Sequence, residues 1–220
     1  MRAFVITLIG HAYSEAVAKR CIRSAASCGL TVETFPATGK DDAEAVMRHH
    51  GLKWTWGEGR CPVTKLNQHS YGGGLARVGC AMSHFRLWLE CTEPMLVLEH
   101  DAVFLRPLPD VEFKSICQVN DPDGATRRGK WWSEQMRKRG PGVFPATWVT
   151  DPKDRIPDGL AGNSAYLVKP HAAQRLVELY RTVGVWPNDA TMCKQLVPDL
   201  EELYPFVTKV EQTVSTTNAA

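Results

Sequence analysis

Residues 3–9, AFVITLI, form an apolar run interrupted only by the β-branched Thr7, with no polar alternation. Such a run predicts a strand buried on both faces, as in the middle of a parallel sheet. Apolar positions then recur at Val17, Cys21, Ile22 and Ala25, the spacing of a helix running from Ser14 to Cys28. Ser14 is placed to cap its start and Gly29 to end it. TVETF, residues 31–35, alternates as a second strand. This β-α-β opening implies a right-handed crossover and a parallel pair.

Asp41 begins a short helix that Gly51 ends. Residues 53–74 carry Gly57, Gly59, Pro62 and the Gly72-Gly73-Gly74 run, the composition of a long loop, and long loops in compact domains are often functional. A helix is expected from Leu75 to Glu90 and a buried strand over MLVLE, residues 95–99. Pro107 and Pro109 forbid a long regular element after Asp101. From about 120 to 160 periodicity fades. Five prolines, Arg127-Arg128, Trp131-Trp132 and Arg137-Lys138-Arg139 suggest a mobile, basic insertion there. Order returns with SAYLV, a helix opened by Pro170, a last helix near Asn188 and a late strand in PFVTKV, residues 205–210. The sequence of elements predicts a single α/β domain over 1–220, with a Rossmann-type, mostly parallel central sheet flanked by helices.

Composition narrows the function classes. Basic and acidic residues, 26 and 24, nearly cancel to a formal charge of +2, which argues against general nucleic-acid binding. Seven cysteines, an odd number with no C-x-x-C, fit reduced thiols in a cytoplasmic protein. No stretch approaches the roughly 20 apolar residues of a membrane span, so membrane contact would be peripheral. Histidine and cysteine groups such as Cys80, His84 and Cys91 lack the paired spacing of structural zinc, and zinc is not expected.

Candidate chemistry concentrates in MLVLEHDAVF. A buried strand here stops at Glu99-His100-Asp101, and carboxylates buried without partners cost several kcal/mol. They belong at the strand's carboxyl end, where open α/β sheets bind ligands. In an extended segment Glu99 and Asp101 point to one side and can hold Mn²⁺ or Mg²⁺. His100 points the other way, packed or hydrogen-bonded rather than ligating. Acid-x-acid alone is also what a solvated loop or helix cap looks like.

GCAMSHFRLW followed by MLVLEHDAVF resembles glycosyltransferase family 25, the lipopolysaccharide and collagen galactosyltransferase group. That family shows a G-C-x-x-S-H helix and then a strand ending in E-D-D. FPATG, GNSAYLVKPHAAQRLV and the run from Pro205 to Ser215, with Gln212 and Ser215, are weaker echoes. The central acid of the triplet is His100 here, and the arginine-bearing N-terminal motif has only a displaced Lys19-Arg20. The resemblance implies a GT-A-like fold, a UDP-hexose donor, inverting transfer to a glycan or other hydroxyl acceptor, and a role in lipopolysaccharide biosynthesis. Residues 1–106 would form the donor half and 107–220 the acceptor half. By position, Asp101 would ligate the metal directly and Glu99 would contact metal water or ribose. Ser83, His84 and Thr38 would serve donor binding, although Ser83 and His84 also fit plain helix packing.

Inversion needs a base for the acceptor hydroxyl. Asp189, in WPNDATMC, is the candidate, with a plain helix-start acid as its ordinary role. Asp154 and Asp158 are weaker alternatives. Trp54, Trp56 and the Trp131-Trp132 pair can stack on sugar or base, though packing is the commoner use of an indole. The basic run can be a solvated face, bind an anionic acceptor or cover a diphosphate. Two other functions stay open at this level: a metal-dependent phosphodiesterase or nuclease, and a non-catalytic sugar-nucleotide-binding homologue.

Overall fold

The computed structural model describes residues 1–68, 72–124, 129–146, 155–157 and 163–211. In chain order the first half runs β1 (Arg2–Thr7), α1 (Ala12–Ser27), β2 (Glu33–Pro36), α2 (Ala43–His49), β3 (Asn67–Gln68), α3 (Leu75–Leu89), β4 (Met95–Glu99) and β5 (Ala102–Phe104). The second half runs β6 (Ile116–Gln118), β7 (Asn120–Asp121), α4 (Gly129–Arg139), β8 (Gly142–Pro145), β9 (Arg155–Ile156), β10 (Ala165–Val168), α5 (Pro170–Thr182), α6 (Asn188–Thr191), β11 (Leu200–Tyr204) and β12 (Thr208–Val210).

The central sheet has seven strands in the order β2-β1-β4-β10-β6-β11-β8. β1 is parallel to β2 and β4, and β6 is parallel to β11. β10 is antiparallel to β4 and β6, and β8 is antiparallel to β11. Five strands therefore share one direction and two oppose it, which bears out the expected α/β fold with a mostly parallel central sheet. β5, β12 and β7 form a smaller sheet, and β3 pairs with β9.

The apolar runs are continuous because both sheet faces are covered. On β1, Ala3 and Val5 pack with Cys21 and Ala25 of α1, while Phe4 and Ile6 face the opposite core. On β4, Leu96 and Leu98 join the α1 side, and Met95 and Val97 join the side of α3 and α5. α3 contributes Val78, Met82, Phe85 and Trp88 to that second core, and α5 contributes Leu176, Val177 and Tyr180. Each packed helix stripe follows the 3.6-residue spacing legible in the sequence.

Three local expectations give way. Ser14 does not cap α1; the helix starts at Ala12, and the His11 side chain accepts from the Ser14 amide. Ser14 is fully buried and turned to other partners. The expected helix at Asn188 is a single four-residue turn. Within the stretch taken as irregular, α4 forms over eleven residues by burying Trp132, Ser133 and Met136. Asp154, Asp158, Arg127, Arg128, Gln212 and Ser215 lie outside the described residues. Among the described residues no helix is long and apolar enough to cross a membrane.

Candidate active site at the strand ends

The carboxyl ends of β1, β2 and β4 meet because these strands are parallel and in register: Ile6 pairs with Glu99 and Thr7 with Pro36. The loops that follow are tied to each other. The Ala37 amide donates to the Thr7 carbonyl at 2.8 Å. The Leu8 amide donates to Ser14 Oγ at 3.0 Å, and the same hydroxyl shares a hydrogen bond with His100 Nδ1 at 3.1 Å. His100 thus faces α1 as a hydrogen-bonded side chain. Burial, opposed by the charge of Glu99, leaves its imidazole below the ordinary histidine value.

Glu99 closes β4. Its amide donates to the Ser164 carbonyl at 2.8 Å, and the Ser164 hydroxyl donates to Oε2 at 3.4 Å. Its Oε1 lies 3.4 Å from His84 Nε2 and accepts from the Cys80 thiol at 3.8 Å. Burial works to raise the Glu99 carboxyl, but the contact with His84 and its charge, with help from His100 and Ser164, outweigh it. Glu99 is held below its ordinary value and stays ionised.

Asp101 has the opposite fate. The chain leaves the strand at Glu99 and turns through His100 and Asp101, so strand alternation does not orient the second carboxyl. Its Oδ1 is buried with no hydrogen-bond partner among the described residues. Burial first, and the charge of Glu99 second, push it up to about 7, against opposing pulls from its own amide and Arg20. Arg20 opposes the shift through its charge alone: its Nη1 pairs with Glu211 at 3.0 Å, and its buried Nε and Nη2 make no hydrogen bond among the described residues, to Asp101 included. A buried oxygen without a partner beside an ionised carboxylate is a deficit of positive charge. Hard-oxygen donors of this kind fit Mn²⁺ or Mg²⁺.

α3 supplies the floor. His84 is 1% exposed, with Nδ1 2.8 Å from the Tyr166 hydroxyl. That hydroxyl also accepts from Trp88 Nε1 at 2.8 Å. Ser83, one residue earlier, looks elsewhere: its hydroxyl donates to the Gly79 carbonyl and accepts from the Thr38 amide at 2.8 Å. Arg86 Nη1 donates to Thr38 Oγ1 at 3.3 Å and to the Pro36 carbonyl at 3.0 Å. α3 comes this close to the loop only because residue 79 is glycine; a Cβ there would sit 2.5 Å from the Thr38 carbonyl oxygen. Ser83 and Thr38 therefore form an anchor behind the carboxylates. Thr38 also lines a cavity of about 400 Å³ with Val46, His49, His50 and Arg86.

α6 completes the rim. The Cys80 thiol donates to Asn188 Oδ1 at 3.7 Å, and Asp189 Oδ1 accepts from the Ala190 amide at 2.9 Å. Burial, then Glu99, Asp189 and Asp101, hold the Cys80 thiol well above its ordinary value, so all three carboxylates act on one point. The structure thus brings Glu99, His84 and Asn188 together at Cys80, with Asp101 and Asp189 near enough for their charge to be felt there. Of the tryptophans, Trp56 is buried against Trp186, Trp132 is buried in α4, and Trp131 is exposed. Sequence reasoning assigned no role to Cys80, Asn188, Ser164 or Tyr166. The available signals were the four-residue spacing of Cys80 and His84 and the small residues before SAYLV.

A family model described as glycosyltransferase family 25 (LPS biosynthesis protein) matches residues 64–192, a span that holds His84, Glu99, Asp101 and Asp189. None of the curated proteins matches the chain. Solved structures are similar at low identity, among them the following two. Mouse xyloside xylosyltransferase 1, in its apo form, is 13% identical, covers 90% of this chain and 83% of its own, and has a TM-score of 0.39. The inositol-1-phosphate CTP transferase from T. maritima is 11% identical, covers 95% of this chain and 88% of its own, and has a TM-score of 0.43.

Proposed function

Since the chain belongs to glycosyltransferase family 25, we propose that it is an inverting, metal-dependent enzyme that moves a hexose from a UDP-sugar to a hydroxyl of a glycan. We read the fold as GT-A-like, with the donor at the ends of β1, β2 and β4. The observation that carries this reading is the partnerless Oδ1 of Asp101 beside the ionised Glu99.

Asp101 and Glu99 would hold Mn²⁺ or Mg²⁺, which neutralises the diphosphate as it leaves. His84 keeps Glu99 charged, and Ser164 fixes its second oxygen. The loop around Thr38, pinned by Ser83 and Arg86, forms the donor wall. Asp189 takes the proton of the acceptor hydroxyl while that oxygen bonds to the anomeric carbon and the bond to the diphosphate breaks. The transition state is oxocarbenium-like, as in glycoside hydrolysis. The products are the inverted glycoside and UDP. Seven free cysteines support a reducing, cytoplasmic site of action. The family description supports an acceptor in lipopolysaccharide assembly.

The test is a thermal-shift screen of UDP-hexoses with and without Mn²⁺, followed by a transfer assay with the best donor. Binding to the folded state raises its melting temperature. We expect a Mn²⁺-dependent rise with one UDP-hexose and turnover with a glycan acceptor. No rise with any UDP-hexose refutes the donor assignment. Binding without transfer identifies a non-catalytic homologue.

A further inference from the structure

A second set of donor atoms meets beside the carboxylate pair. Cys80 and His84 are four residues apart on α3 and share one face of the helix. Glu99 ends β4 opposite that face. Cys80 Sγ, His84 Nε2 and a Glu99 carboxylate oxygen all lie within 4.8 Å of one another, and among the described residues this is the only such group of three. The individual spacings are 3.4 Å from Nε2 to Oε1 and 3.8 Å from Sγ to Oε1. A tetrahedral zinc ion, with bonds of about 2.0–2.3 Å, sets neighbouring N, O and S donors roughly 3.3–3.6 Å apart.

Hydrogen bonding accounts for Cys80 and Glu99 but not for His84. His84 Nε2 is buried and makes no hydrogen bond among the described residues, although Glu99 Oε1 is only 3.4 Å away. The two atoms are close but do not point at each other. An unsatisfied imidazole nitrogen in the interior costs about 1–3 kcal/mol. The other nitrogen, Nδ1, is fully provided for by Tyr166, which Trp88 fixes in turn. Metal-bound histidines show this division: one nitrogen is oriented by a hydrogen bond and the other is left for the ion.

We propose that Cys80, His84 and Glu99 form a binding site for one thiophilic divalent ion, with Zn²⁺ the best match to a sulfur, nitrogen and oxygen donor set. Asn188 Oδ1, 3.7 Å from Cys80 Sγ, is the nearest protein candidate for a fourth donor, and water is the alternative. On binding, the Cys80 thiol gives its proton to solvent and the thiolate bonds to the ion. The paired-cysteine rule for structural zinc misses such a site, because two ligands sit one helical turn apart and the third comes from a strand. The site does not depend on sugar transfer, and it shares only Glu99 with the proposed catalytic ion.

The experiment is a Co²⁺ titration of full-length protein stripped with chelator, read by absorbance. Thiolate ligation gives a near-ultraviolet sulfur-to-cobalt charge-transfer band that carboxylate sites lack. We expect the band to saturate at about one equivalent and to be abolished by stoichiometric Zn²⁺. Cys80→Ser should lose it, and Asp101→Asn should keep it. No band in the wild-type protein overturns the proposal, and this result needs no variant to fold. A band that survives in folded Cys80→Ser, or disappears in Asp101→Asn, also overturns the three-donor assignment. Transfer activity is not read, so failure here leaves the glycosyltransferase reading standing, and failure of that reading leaves the ion site standing.

Discussion

If Asp101 exists to hold a cation, then in metal-free protein it is a burden on the fold. Replacing it with asparagine should stabilise the molecule while ending its activity. The carboxyl is pushed from 3.8 to about 7 by burial and by Glu99. A group raised in this way contributes stability below about pH 4, where it is protonated in folded and unfolded chains alike. That contribution is lost as pH rises through about 7, where the folded protein must carry a charge the unfolded chain holds in water. The shift is about 3 units at 1.36 kcal/mol each, or roughly 4 kcal/mol at pH 8. Part of the residue remains solvent-accessible, so about 2 kcal/mol is the working figure.

The assay is chemical and thermal denaturation of chelator-treated protein at about pH 8 and about pH 5. Asp101→Asn should exceed the wild type by about 2 kcal/mol at the higher pH, or roughly 4–8 °C for a domain of this size. The gap should narrow to less than half at the lower pH, where folded Asp101 is neutral but the unfolded carboxyl is still ionised, and should close only below about pH 4. Adding Mn²⁺ at pH 8 should raise the wild type and leave the variant unmoved. A variant less stable than the wild type at both pH values refutes the reasoning. It would mean that the Asp101 charge is compensated within the fold and needs no ion.

Three further outcomes follow from the same geometry. Asp189→Asn should lower kcat by about 10²–10⁴ with little change in the donor KM; an unchanged kcat in steady-state kinetics removes it as the base. Gly79→Ala should cost about 1–3 kcal/mol in urea denaturation despite alanine's better helix propensity, since its Cβ would meet the Thr38 carbonyl at 2.5 Å. Tyr166→Phe should cost about 1–3 kcal/mol, because the Trp88 indole N–H and His84 Nδ1 both lose their partner; a neutral effect would mean that water replaces the hydroxyl.

The parts of the fold legible in the sequence are those where one physical signal dominates. β1 and β4 announce themselves because burial on both faces demands an uninterrupted apolar run. α5 does so because it lays a single apolar stripe on the core, and α3 because it is rich in apolar residues and buried on several sides. β11 stays hidden because its LEELY sequence looks solvated, yet Glu201 and Glu202 are 6% and 1% exposed. Glu201 is sustained there by the Lys114 amide at 2.6 Å, a partner 87 residues away in sequence. α4 is obscured by its basic surface, which dilutes a buried stripe of only three side chains.

The site was legible for a different reason. A strand that stays apolar until its last residue and then presents acids has only one sensible place for them, the open end of the sheet. What the sequence withheld is the division of labour between those acids. The expected symmetric pair on one side of an extended segment becomes two unlike groups once the chain turns at His100. Glu99 is tied into the floor by Cys80, His84 and Ser164, and Asp101 is left with a bare oxygen. Every one of those ties comes from a residue distant in sequence, so no local pattern records it. On the proposed function the asymmetry is what would make the site usable: an anchored, charged carboxylate would hold position while its neighbour, raised by burial, gave up a proton to an arriving cation. Had both acids been anchored alike, charge repulsion would have raised both. Had neither been, nothing would have fixed where the ion sits.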